Sequence, residues 1–117
     1  MLITDYIMIH YTKGNILDSD AVALVNTVNL VGVMGKGIAL QFKEQFPNNY
    51  KLYKQACKDK EIGIGKLFVT KEQTIFGEKY VINFPTKVDW RKPAEYSFIS
   101  SGLDDLVRIV DEYQISS

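Results

Sequence analysis

Residues 26–42, NTVNLVGVMGKGIALQF, place two asparagines and three glycines between an apolar run and a helical pattern. Glycines so closely spaced cost backbone entropy on folding, so the loop must have a shape that requires them. A tight turn, a close backbone approach, or a ligand that takes bare peptide N–H groups would each do so. Before the loop, AVALVNTV is a nearly continuous apolar run, the mark of a strand covered on both faces. After it, apolar residues recur at helical spacing, with Ile38, Phe42 and Phe46 on one face. Pro47 interrupts this pattern, and Tyr50, Tyr53 and Ala56 continue it on a second helix. A strand that turns through such a loop into a helix points to an α/β domain.

The remaining segments fit that class. ITDYIMIHY, residues 3–11, reads as a strand rich in β-branched and aromatic types. EIGIGKLFVTKEQTIFGEKYVINFP predicts two strands around a turn, the second over Lys79 to Phe84. Pro93 suits a helix start, and residues 94–113 carry Phe98, Leu103, Leu106, Val107 and Val110 at amphipathic spacing. The expected architecture is a mixed central sheet flanked by helices, in one domain over residues 1–117.

Composition removes several function classes. With 14 basic and 14 acidic residues, the chain does not bind nucleic acid by bulk cationic attraction. Cys57 is the single cysteine and His10 the single histidine, which leaves no disulfide framework, no zinc-ligand spacing and no nucleophile motif for a serine hydrolase. Cys57 reads as a buried structural thiol. No apolar run reaches membrane-spanning length and the first residues lack a basic leader, so no membrane partner and a cytoplasmic location are expected.

A strand that ends in Asn26 and Asn29, passes through Gly32, Gly35 and Gly37 and enters a helix is good geometry for an anion. It is not a Walker loop, because GVMGKGIA has the wrong spacing and no hydroxyl after Lys36. Nor is it a dinucleotide fingerprint, since GVMGKG reverses the glycine order. A purely structural glycine connection leaves the paired asparagines unexplained. The second feature is VINFPTKVDWR, where Lys87 follows the end of a strand. Ligands of open α/β sheets gather beyond the carboxyl ends of strands, so parallel, neighbouring strands would bring the glycine loop and Lys87 to one cleft. There Lys87 would be an electrostatic clamp, an amine nucleophile, or a solvated surface lysine.

TKGNIL, ALVNTVNLVGVMGKGIALQFKEQFP and INFPTKVDWR together resemble the macro domains of the DNA ADP-ribosyl glycohydrolase antitoxins, the DarG-like group, from about residue 8 to the C-terminus. The resemblance implies a domain that binds ADP-ribose and removes it from thymidine in single-stranded DNA modified by a partner ADP-ribosyltransferase toxin, with no separate cofactor. Residue by residue, it puts Gly14, Asn15 and Ile16 at the adenine end. Asn26 would shape the loop and Asn29 would hold the distal ribose. Gly32, Val33, Met34, Gly35, Lys36 and Gly37 would wrap the diphosphate and ribose through their backbone, with Thr86 beside them. Lys87 and Asn29 would be catalytic, Asn29 helping to stabilise the charge that develops on the sugar, and Trp90 with Arg91 would stack on and pair with the nucleotide. Members of the group continue into a further strand and a second glycine-rich loop, whereas this sequence ends at Ser117. The expectation is therefore a domain incomplete at its C-terminus, its sheet completed by a dimer or partner. A non-catalytic ADP-ribose-binding module and a protein-interaction unit remain open as alternatives.

Overall fold

A computed structural model describes residues 16–75 and 77–117. The strand expected over residues 3–11, and with it His10, Gly14 and Asn15, lies outside them. The described chain begins with a 3-10 turn at Ile16–Asp18 and continues through β1 (Ala23–Val28), α1 (Gly37–Gln45), α2 (Pro47–Asp59), β2 (Phe68–Thr74), β3 (Gly77–Pro85) and α3 (Tyr96–Glu112). The three strands form one sheet in the order β1-β3-β2. β3 lies in the middle, parallel to β1 with Val28 opposite Pro85, and antiparallel to β2 through a tight hairpin. This is the mixed sheet expected from the sequence.

Each face of the sheet has its own core. Leu24 and Val28 of β1 and Val81 of β3 pack against Phe42, Phe46, Tyr53 and Ala56 from α1 and α2. Ile82 and Phe84 point to the opposite face and meet Ile109 of α3, as the two-residue period of a strand requires. Pro47 sits in the first turn of α2, where its missing N–H costs nothing. Ile38, in the first turn of α1, is exposed rather than on the buried face with Phe42 and Phe46.

α3 differs more from its sequence pattern. It begins at Tyr96, with Glu95 at the N-cap, so Pro93 precedes the helix instead of opening it. Leu103 and Val107 are about half exposed, and the fully buried positions are Gly102 and Ile109. The Phe84 ring lies where a side chain at residue 102 would stand. That contact turns the Gly102–Leu106–Ile109 stripe, rather than the larger apolar stripe, toward the sheet.

A polar cluster is buried within the α2 face. Asn49 and Asn83 exchange amide hydrogen bonds at 3.2 and 2.8 Å, Thr70 donates to Asn49 Oδ1 at 2.6 Å, and Asn83 also donates to the Phe68 carbonyl at 3.0 Å. Asn49 and Asn83 are wholly buried. The pair ties the first turn of α2 to the middle strand. Asn83→Ala strands the Asn49 amide without its partner, and thermal unfolding should show a loss of about 2–3 kcal/mol.

Candidate functional site

The parallel pairing of β1 and β3 ends both strands at the same level, and the chain segments leaving them are joined. Thr86 donates its N–H to Val28 O at 3.0 Å, and Leu30 donates to Val88 O at 3.1 Å. Beyond this seam lies a cleft of about 500 Å³ lined by Thr27, Val28, Asn29, Val33, Gly35, Lys36, Ala39, Thr86, Lys87 and Trp90. It is large enough for a small ligand. The glycine loop and Lys87 therefore share one cleft, as parallel neighbouring strands demand.

Asn29 organises the loop. Its Oδ1 accepts the N–H groups of Val31, Gly32 and Val33 at 3.0, 3.1 and 3.3 Å, and its Nδ2 donates to Val33 O at 2.8 Å. Such side-chain bonding to nearby backbone is what asparagine does well in turns. Asn26, expected to shape the loop, instead lies wholly buried beneath it. Its Nδ2 meets only the Met34 sulfur, at 3.8 Å, and its Oδ1 has no partner among the described residues. The loop-shaping role expected of Asn26 belongs to Asn29. The reason is positional: Asn26 is still in β1 and aims into the core, whereas Asn29 is past the strand end and can turn back on the chain.

Gly32 has φ +95° and lies against α2, where an added Cβ would come within 3.5 Å of Lys54 Cγ. Its glycine is needed for the backbone shape, since a Cβ there would make only an ordinary contact. Met34 is buried in the core, so only its backbone faces the loop. Gly37 opens α1, whose N-terminus carries no side-chain cap. With Gly35, Lys36 and Ala39 in the cleft wall, the start of α1, with its free N–H groups and positive dipole end, borders the cleft. Ile16 is exposed on the 3-10 turn and does not line this cleft.

Lys87 is half-buried, and no hydrogen bond or ion pair among the described residues engages its ammonium. Trp90 stands half-exposed at the rim with the Arg91 guanidinium over its ring, 5.5 Å from the centroid. Arg91 also forks onto Asp89, with Nε 3.1 Å from Oδ1 and Nη2 2.7 Å from Oδ2. Hydrogen bonds from the Arg91 side chain and backbone hold the Asp89 carboxyl down at about 2. Arg91 thus supports Trp90 rather than lining the cleft itself. The sequence reading did not anticipate Thr27, Val28 and Ala39 as wall residues, nor Tyr53 behind Asn29. Tyr53 is seen in sequence only as an apolar helical position. Among the described residues no cluster of His, Cys, Asp or Glu could hold a metal ion, and no helix is long and apolar enough to cross a membrane.

The family model described as "Macro domain" matches residues 25–117, from the middle of β1 to the end of the chain. The chain belongs to the macro domain family. A protein named "DNA ADP-ribosyl glycohydrolase" from Mycobacterium tuberculosis is 52% identical over 110 residues, which are 94% of this macro domain and 31% of that protein. The chain thus spans about a third of the length of this relative. The solved macrodomain of Mycobacterium tuberculosis DarG superposes with a TM-score of 0.89 at 51% identity, covering 93% of this chain and 72% of that one. A structure of Thermosipho africanus DarTG in complex with ADP-ribose matches with a TM-score of 0.82 at 35% identity, over 89% of this chain and 30% of that one. This macro domain is homologous to the DarG-type DNA ADP-ribosyl glycohydrolases, as its glycine loop and NFPTK segment suggest.

Proposed function

We propose that the macro domain binds ADP-ribose in the cleft beyond β1 and β3 and hydrolyses its link to DNA, with thymidine in single-stranded DNA as the modified nucleotide. The observation that carries this reading is a half-buried lysine, Lys87, sharing one cleft with the N-terminus of α1 and the Asn29-stapled loop. In this reading the N–H groups of the loop beyond Val33 and of the first turn of α1 take the diphosphate charge, since those of Val31, Gly32 and Val33 already serve Asn29. The second proton of the Asn29 amide, left over after the bond to Val33, is the one available to the distal ribose. Lys87 works at the glycosidic carbon by placement and charge. Water supplies its hydroxyl to that carbon, the carbon–nitrogen bond breaks, and the base leaves with the proton. The substrate must come from a transferase that places ADP-ribose on DNA, the toxin partner implied by the sequence resemblance.

Trp90 is the proposed contact for the nucleotide. Its exposed ring face offers stacking to any base, while Arg91, tied to Asp89, stiffens the ring from behind. Trp90→Ala should raise the KM for an ADP-ribosylated oligonucleotide about tenfold. The affinity for free ADP-ribose should change much less, as calorimetry on the same variant would show.

The function is tested by titrating the chain with ADP-ribose in a calorimeter and incubating it with a thymidine-ADP-ribosylated single-stranded oligonucleotide and with an ADP-ribosylated peptide. Saturable binding, with ADP-ribose released from the oligonucleotide alone, supports the proposal. Binding without release would leave a non-catalytic reader of ADP-ribose, and release from the peptide alone would reassign the substrate.

A further inference from the structure

Helix α2 carries a group that no ligand would touch but that bears on the loop which would hold one. Tyr53 is completely buried, and its hydroxyl lies 2.7 Å from the Asn29 carbonyl oxygen and 3.1 Å from Asn29 Oδ1. A hydroxyl has one proton, so the nearer oxygen, the carbonyl, receives it. Asn29 Oδ1 is already served by three backbone N–H groups of the loop.

We infer that Tyr53 is a positioning residue for the ligand loop, which fixes Asn29 from behind and thereby sets the course of the Val31–Val33 backbone that Asn29 staples and that reaches the cleft wall at Val33. Three further contacts support this. The Tyr50 hydroxyl reaches toward Gly32 O from the preceding turn of α2, at 3.5 Å. Lys54 and Cys57 of the same helix flank the Gly32 backbone. The sheet end of α2 is itself anchored by the amide pair of Asn49 and Asn83. The loop is thus moulded on a helix that cannot shift along the sheet without breaking a buried polar cluster. Burial pushes the Tyr53 hydroxyl well above its ordinary range, and the Cys57 thiol one turn away adds to this, so the proton it donates stays in place across the working pH range. A phenylalanine would fill the same space and leave the Asn29 carbonyl buried without that donor.

The inference rests on the loop being the ADP-ribose site, but its test does not depend on that alone. In Tyr53→Phe, hydrogen exchange at the amides of Val31, Gly32 and Val33 should speed up at least tenfold more than at the β3 amides. The Kd for ADP-ribose should rise about tenfold. Thr70→Val serves as the comparison, since it weakens the Asn49 cluster without touching the loop. It should speed exchange evenly across the domain or not at all, and leave Kd within about twofold. On an Asn29→Ala background, where the loop has lost its staple, Tyr53→Phe should cost less than threefold further. Unchanged loop exchange in Tyr53→Phe, or a full additive loss on that background, overturns the inference. Loosened loop amides in a chain whose wild type binds no ADP-ribose would keep Tyr53 as the loop's positioning residue and remove the ligand reading instead.

Discussion

Lys87→Ala should lower the turnover of a thymidine-ADP-ribosylated oligonucleotide by about 10²–10³-fold while ADP-ribose still binds. Both halves of that expectation follow from where Lys87 sits. It leaves β3 two residues after Pro85, at the seam where Thr86 bonds to Val28, so its backbone is fixed by the sheet. The residue is half-buried in the cleft wall, and no carboxylate among the described residues pairs with its ammonium. A cation so placed is worth most where charge changes during reaction and less where the ligand is already satisfied by backbone N–H groups. The donors proposed for the diphosphate, on the loop beyond Val33 and the first turn of α1, are separate from it in the chain and survive the substitution. A kcat loss with Kd changed by less than about fivefold would mark Lys87 as a group acting in the transition state. Equal losses in both would reduce it to a phosphate contact.

Gly102→Val should cost about 3 kcal/mol, seen as a fall in Tm of roughly 10–15 °C. On helix propensity the sign would be the reverse, since replacing a mid-helix glycine ordinarily gains up to about 1 kcal/mol with alanine. Packing decides against propensity here. A Cβ at residue 102 would stand 2.4 Å from both Cε1 and Cζ of Phe84. The Phe84 ring is buried between β3 and α3, where Leu67, Ile82 and Ile109 surround it. It has no open space to turn into, so either the ring leaves its rotamer or α3 lifts from the sheet. Gly102→Ala should already destabilise by about 1–2 kcal/mol. Adding Phe84→Leu to Gly102→Ala should recover part of that loss, because the two changes share one contact and are not additive. Because no residue of α3 lines the cleft, the variant that still folds should keep its ADP-ribose affinity.

Local pattern determined much of this protein. The apolar run of β1, the glycine loop and the helical spacing of α1 and α2 are legible without a structure, because burial on both strand faces and a one-sided helix leave periods of their own. The hairpin of β2 and β3 is equally legible, and so is the helical character of α3. Motif chemistry also put the glycine loop and Lys87 on the ends of strands. Tertiary structure alone decided that those strands are parallel neighbours, so that two features some fifty residues apart in sequence share one cleft. It decided which asparagine staples the loop, because strand register sends Asn26 into the core while Asn29 lies one step past the pairing. It turned α3 on Gly102, against the larger apolar stripe, because a phenylalanine on another element claimed the space of a missing side chain. It also put the hydroxyl of Tyr53, a core tyrosine by spacing, against the Asn29 carbonyl. Each of these depends on a neighbour distant in the chain, and a periodicity records only that a position is covered, never by what.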